Sequence, residues 1–267
     1  EAMSSYEQAQ INWRKLTEEN PTVPLYGKWL AKTHDAIGKL HSRSGHLEKA
    51  MVSYEKAATV IRDLLDDKPA IPDIQMDLAQ YYTRMGLLKK DDGKYDETIT
   101  YHQQAVTIVR KLTQDFPANN GYRWGLAGLY HNMANVQKDI GQTKESLTSY
   151  HEAIALSKKI VEDADSIRYR VRLAKHYRAI GNLQRDIRRW DEAYNSYDQA
   201  IALMDTVVAE TPTFLDYREL LASNFVELGI LQHDTGQLGE ASNSFQKATE
   251  VLKKLVNEDP ESTSYCN

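Results

Sequence analysis

Apolar and polar positions along this chain follow a helical period that is interrupted and restarted in a fixed order. Between residues 119 and 140, Tyr122, Leu126, Tyr130, Met133, Ala134 and Gln137 fall at i, i+4, i+8, i+11, i+12 and i+15, which puts them on one face of a helix. Between about 144 and 162, Leu147, Tyr150, Ile154, Ser157 and Val161 form a second stripe of the same kind. Gly141 lies between the two, where glycine commonly closes a helix. A joint follows the second stripe, and in most copies it holds a proline, which cannot continue a helix interior. Two helices of roughly 20 residues and two short turns fill a unit of roughly 48.

The unit returns in register. Leu-Ala pairs stand at Leu30-Ala31, Leu78-Ala79, Leu126-Ala127, Leu173-Ala174 and Leu221-Ala222, at steps of 48, 48, 47 and 48 residues. Three residues after each alanine comes His34, Tyr82, Tyr130, Tyr177 or Phe225, and four further on Gly38, Gly86, Ala134, Gly181 or Gly229. Seven beyond lies Gly45, Gly93, Gly141, Arg188 or Gly236. The second helix repeats Ala50, Thr98, Ser146, Ala193, Ala241, then Tyr54, His102, Tyr150, Tyr197, Phe245, then Ala57, Ala105, Ala153, Ala200, Ala248. The joints hold Pro21, Pro69, Pro117, Pro212 and Pro260, with Ala164 as the exception. A glycine inside a helix costs about 1 kcal/mol relative to alanine. A column of them predicts close approach of the paired helix, with the aromatic four residues earlier filling the neighbouring gap. The pattern predicts an all-α fold, an α-solenoid of stacked antiparallel helical hairpins. It gives one array over 1–267, with repeats at 22–69, 70–117, 118–164, 165–212 and 213–260. Residues 1–21 read as the second helix of a preceding repeat and 261–267 as the start of another, because Tyr6 and Ala9 lie 48 before Tyr54 and Ala57, and Tyr265 lies 48 after Tyr217. The chain is thus expected to be a piece of a longer array, opening on Glu-Ala-Met left by cloning.

These residues resemble the tetratricopeptide repeat family, whose order is aromatic, Leu-Gly, a later Gly, then Ala, aromatic, Ala, Pro. The fifth unit carries Phe225, Leu228-Gly229, Gly236, Ala241, Phe245, Ala248 and Pro260. The second carries Tyr82, Met85-Gly86, Gly93, Thr98, His102, Ala105 and, later than usual, Pro117. The familiar repeat has 34 residues, so both helices here are longer by about two turns. In this the chain is similar to long arrays that follow bacterial serine/threonine kinase domains. The resemblance implies a right-handed superhelix that binds a peptide or protein in a concave groove lined by the first helices.

On that implication the groove positions lie one, four, eight, eleven and twelve residues after the column alanine. They read Lys32, Asp35, Lys39, Ser42, Arg43; then Gln80, Thr83, Leu87, Lys90, Asp91; then Gly128, His131, Asn135, Lys138, Asp139; then Lys175, Arg178, Asn182, Arg185, Asp186; then Ser223, Val226, Ile230, His233, Asp234. The residues expected to carry partner binding are His131, Asn132, Asn135, Lys138, Asp139, Lys175, Arg178, Asn182, Arg185, Asp186, His233 and Asp234. Two adjacent columns are charged, Lys90, Lys138, Arg185, His233 and Asp91, Asp139, Asp186, Asp234. An aspartate at a helix C-terminus opposes the macrodipole, so helix stability does not explain it. One reading is a ladder in which each aspartate pairs with a cation of an adjacent unit. The other is a pair of rows that grips an extended peptide, with Asn132, Asn135 and Asn182 giving amide contacts to its backbone. The fourth unit adds a basic cluster, Arg168, Arg170, Arg172, Lys175, Arg178, Arg185, Arg188 and Arg189, where a partner could dock or which is a solvated face.

Composition narrows the classes. The net charge of −5 argues against a general nucleic-acid binder, which is usually basic. The single cysteine, Cys266, gives no disulfide framework and fits a reducing, cytoplasmic setting. No apolar run reaches the ~20 residues of a membrane span. No His-Glu-x-x-His, Gly-x-Ser-x-Gly or phosphate-binding glycine loop occurs, and His34 and His41 lack a third ligand at metal spacing. The expectation is a non-enzyme without cofactor or metal: a protein–protein interaction scaffold, or else a structural spacer or self-association module that holds a kinase-like catalytic domain.

Overall fold

The computed structural model of the protein describes residues 2–67 and 71–258. Pro69, Pro260, Tyr265, Cys266 and the expected repeat start at 261–267 lie outside the described residues. Among the described residues there are eleven helices and no strand: α1 (Ala2–Glu19), α2 (Pro24–Arg43), α3 (Leu47–Asp67), α4 (Pro72–Asp91), α5 (Tyr95–Asp115), α6 (Asn120–Asp139), α7 (Thr143–Asp163), α8 (Ile167–Asp186), α9 (Trp190–Glu210), α10 (Leu215–Asp234) and α11 (Leu238–Glu258). The chain divides into two compact units, residues 1–141 and 142–267. The division falls at the turn glycine of the third repeat.

In unit 1 the hairpins α2–α3 and α4–α5 pack tightly, and α1, α3 and α5 each also pack on the first helix that follows. In unit 2 the hairpins are α8–α9 and α10–α11, with α7 packed on α8 and α9 on α10. First helices also touch each other directly, α2 with α4 and α8 with α10. The architecture in both units is the all-α repeat of a solenoid.

The small-residue columns are the nesting surfaces. Ala50, Thr98, Ser146 and Ala193 are fully buried, as are Ala57, Ala105, Ala153 and Ala200. A Cβ placed on Gly38 would lie 2.5 Å from the Tyr54 ring, on Gly181 2.8 Å from Tyr197 and on Gly229 2.7 Å from Phe245. The ring over each glycine therefore comes from the second helix of the same hairpin, sixteen residues later in sequence. It is not the aromatic four residues before the glycine. At Gly86 the ring is His102, and the contact is looser at 3.3 Å. Burial is the main cause that lowers the pKa of His102 to about 4, with Lys90 adding to it, and both ring nitrogens are buried without a hydrogen bond.

The turn inside each hairpin needs a left-handed residue. Gly45, Gly93, Gly141 and Gly236 have φ between 72° and 78°, and Arg188 takes the same slot at φ 60°. In unit 2 a buried bond closes each hairpin beside this turn. Ser196 donates to Gln184 and Ser244 to Gln232, both at 2.7 Å. The joints have their own fixings. Pro24 and Pro72 open α2 and α4, and Asn119 caps α6 by accepting from the amides of Gly121 and Tyr122. Arg123 donates to the Asn120 side chain and the Pro117 carbonyl.

Candidate functional site

The residues that follow the column alanines by four, eight, eleven and twelve lie along the first helices. In unit 1 this face opens a recess of about 420 Å³ between α2 and α4. Lys39, Ser42 and Arg43 line it from α2, Arg84, Leu87, Leu88 and Asp91 from α4, and Tyr54 from α3. Five of these eight stand at groove positions read from the sequence.

Its chemistry is mixed. Leu87 is half-exposed and gives an apolar wall. Asp35 is shared by two cations, with Lys39 Nζ at 2.6 Å and Arg84 Nε at 2.7 Å. The Arg84 contact is an ion pair without hydrogen-bond alignment. Among the described residues no carboxylate pairs with Arg43, and nothing hydrogen-bonds the Tyr54 hydroxyl. Burial raises the pKa of that phenol, opposed by Arg84 and Arg43 nearby, so it stays protonated and able to donate.

The residues expected to bind a partner fall on both units. On α6 of unit 1, His131, Asn132, Asn135 and Lys138 are half-buried, while Asp139 is exposed at the helix end. Asp139 receives Lys90 of α4 at 3.0 Å, so here the two charged columns form a rung between adjacent repeats. On unit 2, Lys175 and Asp186 are exposed, whereas Arg178, Asn182 and Arg185 are half-buried. The Tyr197 hydroxyl donates to Asn182 at 2.8 Å. Arg185 reaches Glu227 of α10 at 2.6 Å and comes within 3.9 Å of Asp186. Burial lowers the pKa of Arg178, against the pull of Glu227. His233 and Asp234 are exposed neighbours, 3.7 Å apart at the end of α10.

The basic cluster of the fourth repeat is dispersed by its partners. Arg170 grips Glu210 through two nitrogens, at 2.8 and 2.6 Å, and Asp165 at 3.0 Å, which staples the start of α8 to the end of α9. Arg189 meets Glu192 at 3.4 Å. Two elements escaped sequence reasoning. One is the column five after the alanine, where Arg84 and Glu227 supply the inter-repeat partner. The other is the Gln–Ser pair twelve residues apart. Their only signal was position, since neither residue type is unusual on a helix. Among the described residues no group of three or more His, Cys, Asp or Glu could hold a metal, and no helix is long and apolar enough to cross a membrane.

Comparison with known proteins bears on the repeats and the fold. Tetratricopeptide repeat models match residues 31–63 and 176–207. No curated protein matches the sequence. Among solved structures, the chain is similar to BtubC (BKLC) from P. vanneervenii, with TM-score 0.73 and 19% identity, over 95% of this chain and 90% of that one. It is similar to the apo form of RapI, with TM-score 0.66 and 12% identity, over 93% of this chain and 60% of that one. The Rap conjugation gene regulator of the plasmid pLS20, solved in complex with the Phr* peptide, gives TM-score 0.51 and 13% identity, over 88% of this chain and 56% of that one. These likenesses concern the fold and carry nothing about a neighbouring kinase domain. Tetratricopeptide-like folds are in general non-catalytic protein-interaction scaffolds, and this chain carries such repeats on an all-α hairpin-solenoid fold.

Proposed function

We propose that the chain is a protein-interaction scaffold whose ligand face is formed by the first helices of its hairpins, and that in unit 1 the ligand enters the recess between α2 and α4. The observation that carries this reading is the recess itself, about 420 Å³ with Leu87 as an apolar wall and Arg43, Ser42 and Tyr54 as polar groups. Pockets of that size with few convergent polar groups are the usual form of a binding site. The peptide complex of the similar Rap regulator supports a peptide as the ligand class. On α6, α8 and α10, His131, Asn132, Asn135, Lys138, Lys175 and the two exposed aspartates Asp186 and Asp234 are the further contact positions. Asn182 and Arg185 serve there by holding Tyr197 and Glu227.

The test is NMR titration of the labelled protein with a degenerate octapeptide library. The expected result is saturable shifts in the second halves of α2 and α4. Leu87→Trp, which fills the recess from a half-exposed position, is expected to weaken the retained peptides tenfold or more. Shifts confined to α3 and α5, or retention unchanged by Leu87→Trp, would refute the reading.

A further inference from the structure

A second opening lies on the other face of unit 1, between the second helices α3 and α5. It is a recess of about 350 Å³. Its floor is Tyr82 and Met85 of α4, and Tyr101 of α5 stacks on Tyr82 with ring centroids 6.3 Å apart. Glu55 and Arg62 stand at the α3 rim.

The same column in other repeats shows what such a floor normally receives. In the third repeat the Tyr130 ring is covered by Arg110 of the preceding helix, 5.9 Å from the ring centroid, with a bond from the guanidinium to the Tyr130 hydroxyl. In the fourth, Lys158 of the preceding helix lies over Tyr177 at 5.6 Å, whereas in the fifth that column holds Asp205 and the cation over Phe225 is Lys247 of the paired helix α11, also at 5.6 Å. A cation over an aromatic face is attracted by the ring quadrupole, the more so when partly desolvated. In the second repeat the residue at the position of Arg110 is Arg62, exposed and hydrogen-bonded to Thr59 of its own helix at 3.0 Å. Tyr82 thus keeps the aromatic floor without a cation from the chain. Glu55 is exposed, forms no ion pair among the described residues, and is close enough to help raise the Tyr101 pKa, burial being the larger cause.

We propose that the Tyr82–Tyr101 recess is a docking site for an arginine or lysine side chain of a partner segment, which takes the place that Arg110 and Lys158 fill in the next two repeats, with Glu55 as its counter-charge. The net charge of −5 favours approach of a basic segment. This site is separate from the first-helix recess, and either can exist without the other.

The test uses the blocked tripeptide Gly-Arg-Gly, its lysine analogue and its citrulline analogue, which keeps the shape of arginine without the charge. Titration of the labelled protein is expected to shift residues 55–62, 82–85 and 101–104 saturably with arginine and lysine, and at least fivefold more weakly with citrulline. Glu55→Gln, at an exposed position that leaves the fold alone, is expected to weaken arginine binding three- to tenfold. Tyr101→Leu should abolish it. Equal binding of citrulline, or no effect of Glu55→Gln, overturns the proposal. So does binding seen only after Arg62→Ala, because Arg62 would then occupy the slot itself.

Discussion

The first-helix faces of α2–α4 in unit 1 and α8–α10 in unit 2 use the same columns and end in opposite states. In both, a tyrosine of the second helix lies over a helical glycine, Tyr54 over Gly38 and Tyr197 over Gly181. The residue eight after the column alanine is Asn182 in unit 2, and it accepts from the Tyr197 hydroxyl. In unit 1 that residue is Lys39, which turns to Asp35 and leaves the Tyr54 hydroxyl to the recess. The inter-repeat ion pair has also exchanged sign. Arg84 meets Asp35 in unit 1, whereas Glu227, at the same place in its repeat, meets Arg185 in unit 2. One backbone geometry therefore leaves the tyrosine hydroxyl either to a recess or to an amide of its own hairpin, depending on which side chains meet across it.

Acid gives the largest test of this contrast. His34 and His102, both in unit 1, have pKa values lowered from 6.5 to about 4, chiefly by burial, with Lys56 and Arg14 adding to it at His34 and Lys90 at His102. The unfolded chain binds protons near 6.5 and the folded chain only near 4, so stability falls as pH drops through that interval. For His102 alone the loss approaches ~3 kcal/mol. Hydrogen exchange at pH 7 and pH 4.5 is expected to show α2–α5 losing protection, and unchanged protection there would break the expectation.

Next come the glycines, where the two units should behave alike. Gly38→Ala and Gly181→Ala each force a methyl against a fixed ring and are expected to cost ~2–3 kcal/mol by urea denaturation. Gly86→Ala, with more room beside His102, should cost under ~1 kcal/mol. A milder loss at Gly181 than at Gly86 would show that hairpin nesting does not follow the measured approach distances.

The hydroxyls separate the units again. Tyr197→Phe removes a bond to half-buried Asn182 and is expected to cost ~1 kcal/mol, while Tyr54→Phe, which loses no such bond, should cost almost nothing. The one gain is expected at the turn. Arg188→Gly relieves a left-handed residue and should raise stability by ~0.5 kcal/mol, since the strain relieved exceeds the added chain entropy. Thermal unfolding would detect this as a small upward shift in Tm.

Much of the fold could be read without coordinates. The segments read as helices, 119–140 and about 144–162, match α6 and α7 to within about one residue at each end, and the glycine column marks the turns. The columns of the candidate site could be read from the sequence, whereas the side-chain partners within them could not. Asn182, expected to meet a peptide backbone, also accepts from Tyr197, a partner that the column pattern does not reveal. Lys90 and Asp139 stand in the two adjacent charged columns, and they meet across repeats as one rung. The recess lined by Lys39, Arg43 and Leu87 falls on the first and second repeats rather than on those that drew attention.

What the sequence determined by itself is periodic: helix, turn, helix and joint, because each depends on residues within a few positions of one another. A beat of 47–48 with tiny residues at constant places leaves few alternatives to nested hairpins. Tertiary structure alone decided which ring covers which glycine, which carboxylate takes which cation, and where a recess stays open. Those outcomes turn on the reach of side chains from helices far apart in sequence, and a difference of a single residue, Lys39 against Asn182, changes them without altering the pattern.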